Sequence, residues 1–223
     1  FFQRDSTKAN NLTLYPHKEK EFWYWMSSWA LFITKPSDLG YDDTGYDMPE
    51  MKIIYHTVNV DHSTAGVDKV GQIKMFREAA LGLKDAAKEK RDSMPFRIAK
   101  MQEIINSDPD NHYIIWHDLE AERHEIKKAI SEVKDVYGSQ DHELRESRIV
   151  DFAEGKFKYL ATKPEISGQG CNFQYHCHKA IFLGIGYEFK NFIQAIHRIY
   201  RYQQNNVVEI HIIYAESEGE ILK

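Results

Sequence analysis

Apolar positions in this chain fall into short blocks set between longer stretches of helical periodicity. Lys52–Val60 alternates well enough to predict a strand. A helix is expected over residues 70–90, ended near Ser93-Met94-Pro95, and another over 96–106, stopped by Ser107-Asp108-Pro109-Asp110. From there the pattern predicts strand 112–117, helix 119–130, strand 133–136, helix 142–154, strands 157–162 and 179–184, helix 189–201 and strand 207–214. Short strands separated by helices imply an α/β fold, a mostly parallel sheet with helices on both faces. Ligands in such sheets bind at the carboxyl ends of the strands. Those are expected to be the loops after Trp116 and Val136 and the Thr162–Asn172 loop. Residues 1–50 break this rhythm. They are rich in aromatics and turn residues, with a helical stretch from Glu19 to Ile33 whose Trp23, Trp25 and Trp29 are expected in a core or a packing contact. The Glu216–Glu220 segment is read as an exposed acidic tail or the start of a truncated helix.

Composition narrows the classes. At 223 residues with 42% hydrophobic content, the chain can build one packed domain and an appendage. No apolar run approaches the length of a membrane span and no signal peptide is evident. Two cysteines, Cys171 and Cys177, suit a reducing compartment, so a cytoplasmic location is expected. The net charge of −5 excludes a generally basic nucleic-acid coat, which confines any such contact to a local groove.

The candidate chemistry concentrates late in the chain. In Gln194-Ala195-Ile196-His197-Arg198-Ile199-Tyr200-Arg201-Tyr202-Gln203-Gln204, two arginines at helical spacing are placed to meet one anionic target. Upstream, an apolar run leads into Thr162-Lys163-Pro164-Glu165-Ile166-Ser167-Gly168-Gln169-Gly170-Cys171-Asn172. Its glycines let the backbone turn sharply against something bulky. Cys171, His176, Cys177 and His178 raise the alternative of a zinc-stabilised binding module. Consecutive residues in a strand alternate faces, however, and no second Cys-x-x-Cys pair completes a tetrahedron, so no metal site is expected. His117-Asp118 reads as a polar cap on a strand end.

Together these segments resemble the second RecA-like lobe, of the P-loop NTPase type, of a superfamily-two helicase or translocase, nearest the Swi/Snf-type branch. The family's late motifs run approximately Ser/Thr…Gly-Gly-x-Gly-x-Asn and Gln-Ala-x-x-Arg-x-x-Arg-x-x-Gln. Thr162, Gly168, Gly170 and Asn172 match the first, and Gln194, Ala195, Arg198, Arg201 and Gln204 the second. His112–Asp118 is similar to the lobe's opening strand, and Gly138-Ser139 with Arg145 and Phe152 to a later turn and helix. Phe22–Ala30, Lys35–Asp43 and Tyr46–Pro49 resemble the segment between the lobes in a bacterial and phage subgroup often encoded with, or fused to, DNA methyltransferases.

The resemblance implies residues 1–50 as an interlobe brace and 51–223 as the second lobe. It implies Arg201 as an arginine finger, Arg198 at the γ-phosphate or organising the cleft, and Gln194 bridging to the first lobe's metal-binding motif. Gly168, Gly170, Asn172 and Gln204 would couple the cleft to the track, and Thr162, Lys163, Gly138 and Ser139 would grip DNA backbone phosphates without reading sequence. ATP and Mg²⁺ are the implied cofactors, held mainly by the first lobe. The implied partners are DNA, that lobe, and a methyltransferase or restriction/defence component. The sequence contains no Gly-x-x-x-x-Gly-Lys-Ser/Thr and opens on Phe1 rather than methionine, so a C-terminal piece of a longer ATPase, inactive alone, is expected. The competing reading is an interaction scaffold on a degenerate ATPase fold.

Overall fold

The computed structural model describes all residues except 5–11, 45, 60–89, 168–169, 185–188, 217 and 219–223. The helix expected over 70–90 therefore lies outside the described residues but for Lys90, and so does Gly168. The chain divides into two compact units, Phe1–Tyr46 and Asp47–Lys223.

In the first unit β1 (Phe2–Arg4) pairs antiparallel with β2 (Leu12–Leu14), and α1 spans Glu19–Ser27. Helix α1 holds no buried residue, so its tryptophans do not form a core of their own. Instead they pack ring against ring: Trp25 stacks on Phe1 and meets Trp29 edge-on, and all of Trp23, Trp25 and Trp29 stay exposed.

The second unit runs β3 (Met51–Val58), α2 (Met94–Ser107), β4 (His112–Trp116), α3 (Glu120–Ala129), β5 (Lys134–Val136), α4 (His142–Ala153), β6 (Tyr159–Thr162), α5 (Pro164–Ser167), β7 (Cys177–Phe182), α6 (Phe189–Ile196) and β8 (Val208–Ala215). The strands form one sheet of order β3-β8-β7-β4-β6-β5 in which every pairing is parallel. Apolar residues on both sides of each central strand explain why the sheet is covered on both faces. Ile114, Trp116, Phe182 and Ile210 point to one face and pack with Phe152 of α4 and Ile196 of α6. Tyr113, Ile115, Ile181 and Ile213 point to the other and pack with Met101 and Ile104 of α2 and Ile126 of α3.

Local chemistry sets the helix starts. Pro95 occupies the first turn of α2. The Asp141 carboxylate accepts from the backbone N–H groups of Glu143 and Leu144 at 3.0 and 3.2 Å and caps α4. Glu122 reaches back from α3 to the N–H groups of Asp118 and Leu119 at 2.7 and 2.8 Å.

Two expectations need correction. Helix α6 ends at Ile196 rather than running to 201. Beyond it three-residue bonds, Arg198 N–H to Ala195 and Ile199 N–H to Ile196, mix with a four-residue bond from Tyr200 N–H to Ile196, and the Arg198 carbonyl accepts from Phe173 N–H at 3.0 Å. In the acidic segment Glu216 is exposed as expected, but Glu218 is not. Glu218 is fully buried against the fully buried Arg97, whose guanidinium also donates to the Leu183 and Ile213 carbonyls at 2.9 and 3.0 Å. That arginine ties the carboxyl ends of β7 and β8 to the chain's last described turn. Gly184 belongs to the same junction, because a Cβ there would lie 2.7 Å from the Lys90 side chain.

Two candidate sites at opposite edges of the sheet

Because β6 and β7 are parallel, the chain must travel from the carboxyl end of one to the amino end of the other. The segment after α5 makes that crossing. It separates residues that the sequence pattern groups into one loop: Thr162 and Lys163 stay at the carboxyl edge, while Asn172 is carried toward the amino edge. The expectation that the whole loop sits at the carboxyl ends is thus corrected. Helix α6 returns antiparallel to β7 and delivers residues 197–204 beside the starts of β7 and β8.

At the amino edge the two strings are laced together. Gly170 adopts φ 74°, a left-handed turn that suits glycine. The Arg198 guanidinium donates to the Gln194 carbonyl at 3.0 Å and the Cys171 carbonyl at 3.2 Å. Arg201 donates to the Asn172 side-chain oxygen. The buried Gln204 amide lies 3.1 Å from each of the Gln174, Cys177 and Ile199 carbonyls, and its oxygen accepts from Asn206 N–H at 2.9 Å. Gln203, at φ 70°, accepts from the Tyr175 hydroxyl. Every partner of Arg198 and Arg201 among the described residues is a neutral oxygen, so their two positive charges stand uncompensated. Burial and, second, the Arg201 charge depress the Arg198 pKa, as expected of like charges brought together. Gln194 takes part through its backbone carbonyl.

The carboxyl edge is built differently. Gly138 and Ser139 are exposed after β5, and a Cβ at Gly138 would meet nothing within 4 Å. Thr162 is fully buried, with its hydroxyl 2.9 Å from that of Ser167, so it ties the last residue of α5 back to β6 rather than facing outward. The cations here are paired with carboxylates. Lys163 Nζ lies 3.3 Å from Glu120, and Arg123 contacts Glu120 at 2.8 Å and the buried Asp135 at 2.6 Å. The Arg123 guanidinium also lies over the Tyr137 ring, 4.1 Å from its centroid. Asp135 receives Lys127 and Arg148 as well, at 3.3 and 3.0 Å, and so joins helices from both faces of the sheet. Lys90 pairs with Asp118. His117 is buried, and neither ring nitrogen has a partner among the described residues; burial, then Lys163, pushes its pKa down to about 4.

Sequence reasoning missed Glu120, Glu122, Arg123 and Asp135. The i, i+3 spacing of Glu120 and Arg123 was visible, but Asp135 and Lys163 come from other strands and only the sheet unites them. Cys177 is buried with its thiol directed at the His112 and Lys179 carbonyls, a core position. No group of three or more potential metal-binding side chains occurs among the described residues. Nor, among them, is any helix long and apolar enough to cross a membrane.

No protein family and no curated protein matches the sequence. Solved structures do match in fold. The C-terminal part of the Fun30 ATPase domain is similar with TM-score 0.52 and 18% identity over 57% of this chain and 44% of that one. A variant of Dbp5 from S. cerevisiae bound to Gle1 and IP6 is similar with TM-score 0.51 and 15% identity over 77% of this chain and 38% of that one. The chain spans less than half the length of either. The fold is RecA-like: six parallel strands with helices on both faces.

Proposed function

We propose that this chain is the second RecA-like lobe of an ATP-dependent DNA helicase or translocase, with Arg201 as its arginine finger. One observation carries the reading: two guanidinium groups, Arg198 and Arg201, held by neutral oxygens and without a counter-charge among the described residues. Such a pair costs electrostatic energy in the free protein and gains it when a polyanion arrives. A phosphoryl group in transfer, with charge spread over its oxygens, is a suitable target. Their neutral holders matter as much as the charges, since carbonyl and amide oxygens orient a guanidinium without quenching it.

In this reading Asn172 aims Arg201, the Gln194 and Cys171 carbonyls aim Arg198, and Gln204 clamps the two strings together. Gly170 and the undescribed Gly168 would give the linking segment its turns. ATP and Mg²⁺ would be held chiefly by a first lobe carrying the phosphate-binding loop, which this sequence does not contain. Lys163, Gly138 and Ser139, at the other edge, would grip DNA backbone phosphates, with Thr162 setting the turn that presents Lys163. Closure of the lobes on ATP and their opening after hydrolysis would move that grip along the track. The Swi/Snf-type affinity, the brace role of residues 1–50 and a methyltransferase or defence partner belong to the same proposal, supported by the motif resemblance.

The test is DNA-stimulated ATP hydrolysis by a polypeptide carrying both lobes. Arg201→Ala should lower kcat roughly 10³-fold or more while nucleotide binding is kept. Unchanged turnover would remove the finger assignment and favour an interaction scaffold.

A further inference from the structure

Three of the carboxyl-edge side chains form an arrangement of which the grip reading uses only Lys163. Glu120 opens α3, and its two carboxylate oxygens are held by cations from different elements: Arg123 at 2.8 Å, one turn along the same helix, and Lys163 at 3.3 Å, just past β6. The carboxylate itself is about half exposed, whereas Arg123 and Lys163 are largely shielded, at 12% and 24% exposure of their side chains. The cations are therefore preset and their anion is the removable member. An aromatic wall at Tyr137 and the buried Asp135 hold the Arg123 fork in place independently of Glu120.

A second observation points the same way. His117 lies immediately before this turn, buried and with both ring nitrogens unpartnered among the described residues. The charges acting on it are Lys163, Glu120, Asp118 and Arg123, so it stands behind the same cluster. A buried imidazole without a partner is costly in a purely structural salt bridge and understandable beside a site that admits an acceptor.

We infer that Lys163 and Arg123 form a phosphodiester-binding site in which the Glu120 carboxylate is an internal occupant that a nucleic-acid phosphate displaces. The inference rests on the reading of the carboxyl edge as the DNA grip and adds its regulation. A carboxylate and a phosphodiester both present two anionic oxygens to a cation pair, so one can stand in for the other. The consequence is a grip set weak on purpose: each phosphate must compete with a tethered anion, which suits a lobe that has to release its track at every step. Glu120 also shields Arg123 and Lys163 from non-specific anions when no strand is present. It sits on an exposed helix start, where its pair with Arg123 contributes little to stability.

The experiment measures anisotropy of a labelled single-stranded DNA oligonucleotide with the 223-residue chain and its variants, from about 25 to 200 mM salt. Glu120→Gln should tighten binding about threefold to tenfold at low salt and steepen the dependence of log K on log salt by roughly one, as freed cations take up phosphate. Adding Lys163→Gln to Glu120→Gln should cancel the gain. Binding by Glu120→Gln alone, with wild type below detection, also supports the inference. Wild-type affinity and slope in Glu120→Gln, together with weakened binding in Lys163→Gln, would overturn the occupant role and leave the grip standing. Binding that no variant alters, or no binding by any of them, would overturn the grip and the inference together. Displacement of the oligonucleotide from Glu120→Gln by inorganic phosphate, beyond that by chloride at equal ionic strength, would mark a free-anion site and overturn the nucleic-acid assignment.

Discussion

The two edges of the sheet handle positive charge in opposite ways. At the amino edge Arg198 and Arg201 are held by the Gln194 and Cys171 carbonyls and the Asn172 amide oxygen, none of which carries charge. At the carboxyl edge Lys90, Arg123 and Lys163 are each matched to a carboxylate, from Asp118, Glu120 or Asp135. The first arrangement leaves the field of the arginines unquenched by the groups that hold them. The second lowers the field through paired carboxylates. On the proposed reading the first would serve chemistry and the second a track that has to be released, and neutral against charged partners is the simplest way to make the difference.

Substitutions can break that contrast in order of expected size. The largest effect belongs to Asp135→Ala, which strips a 2%-exposed carboxylate from beneath Arg123 and Arg148 and should cost roughly 3–5 kcal/mol in urea unfolding. A smaller loss would mean that water already shares those cations. At the other edge Gln204→Leu leaves the Gln174, Cys177 and Ile199 carbonyls short of a donor and should cost roughly 1–3 kcal/mol. It should also make the arginine loop easier to cleave in limited proteolysis while leaving oligonucleotide affinity at the carboxyl edge unchanged. A joint loss at both edges would show that they are not independent.

The gentlest probe is pH. His117 titrates near 6.5 when unfolded and is held down to about 4 in the fold, by burial first and Lys163 second. Between those values the unfolded chain binds a proton that the native one refuses. Its contribution to stability is therefore complete above pH 6.5 and is lost as pH falls toward 4, at roughly 1.4 kcal/mol per pH unit. Denaturation of His117→Gln against wild type at pH 7 and 5 should show the variant with the shallower fall. Equal slopes would place the titration elsewhere.

How legible all this was depended on distance along the chain. Strands β4 and β8 centre on the apolar blocks Tyr113–Trp116 and Ile210–Tyr214, and their positions can be read within a residue because those blocks are buried on both faces of the sheet. The sequence overextends helix α6 because its periodicity continues through Arg198 and Arg201, whereas in the fold the helix stops at Ile196 and the Arg198 carbonyl accepts from the Phe173 N–H of a distant loop. The same blindness hid the burial of Glu218, an acidic residue near the end of the chain whose partner, Arg97, lies on α2.

The sequence by itself determined the alternation of short apolar blocks with amphipathic helices, and with it a parallel sheet and the glycine-and-arginine segments worth watching. Those properties are local: they depend on neighbours three or four places away, or two along a strand. Only the tertiary structure decided that Thr162 and Asn172 belong to opposite edges, that the arginines face neutral oxygens, and that Glu120 lies between Arg123 and Lys163. Charge compensation is a property of space, and the partners that set it come from strands far apart in the chain.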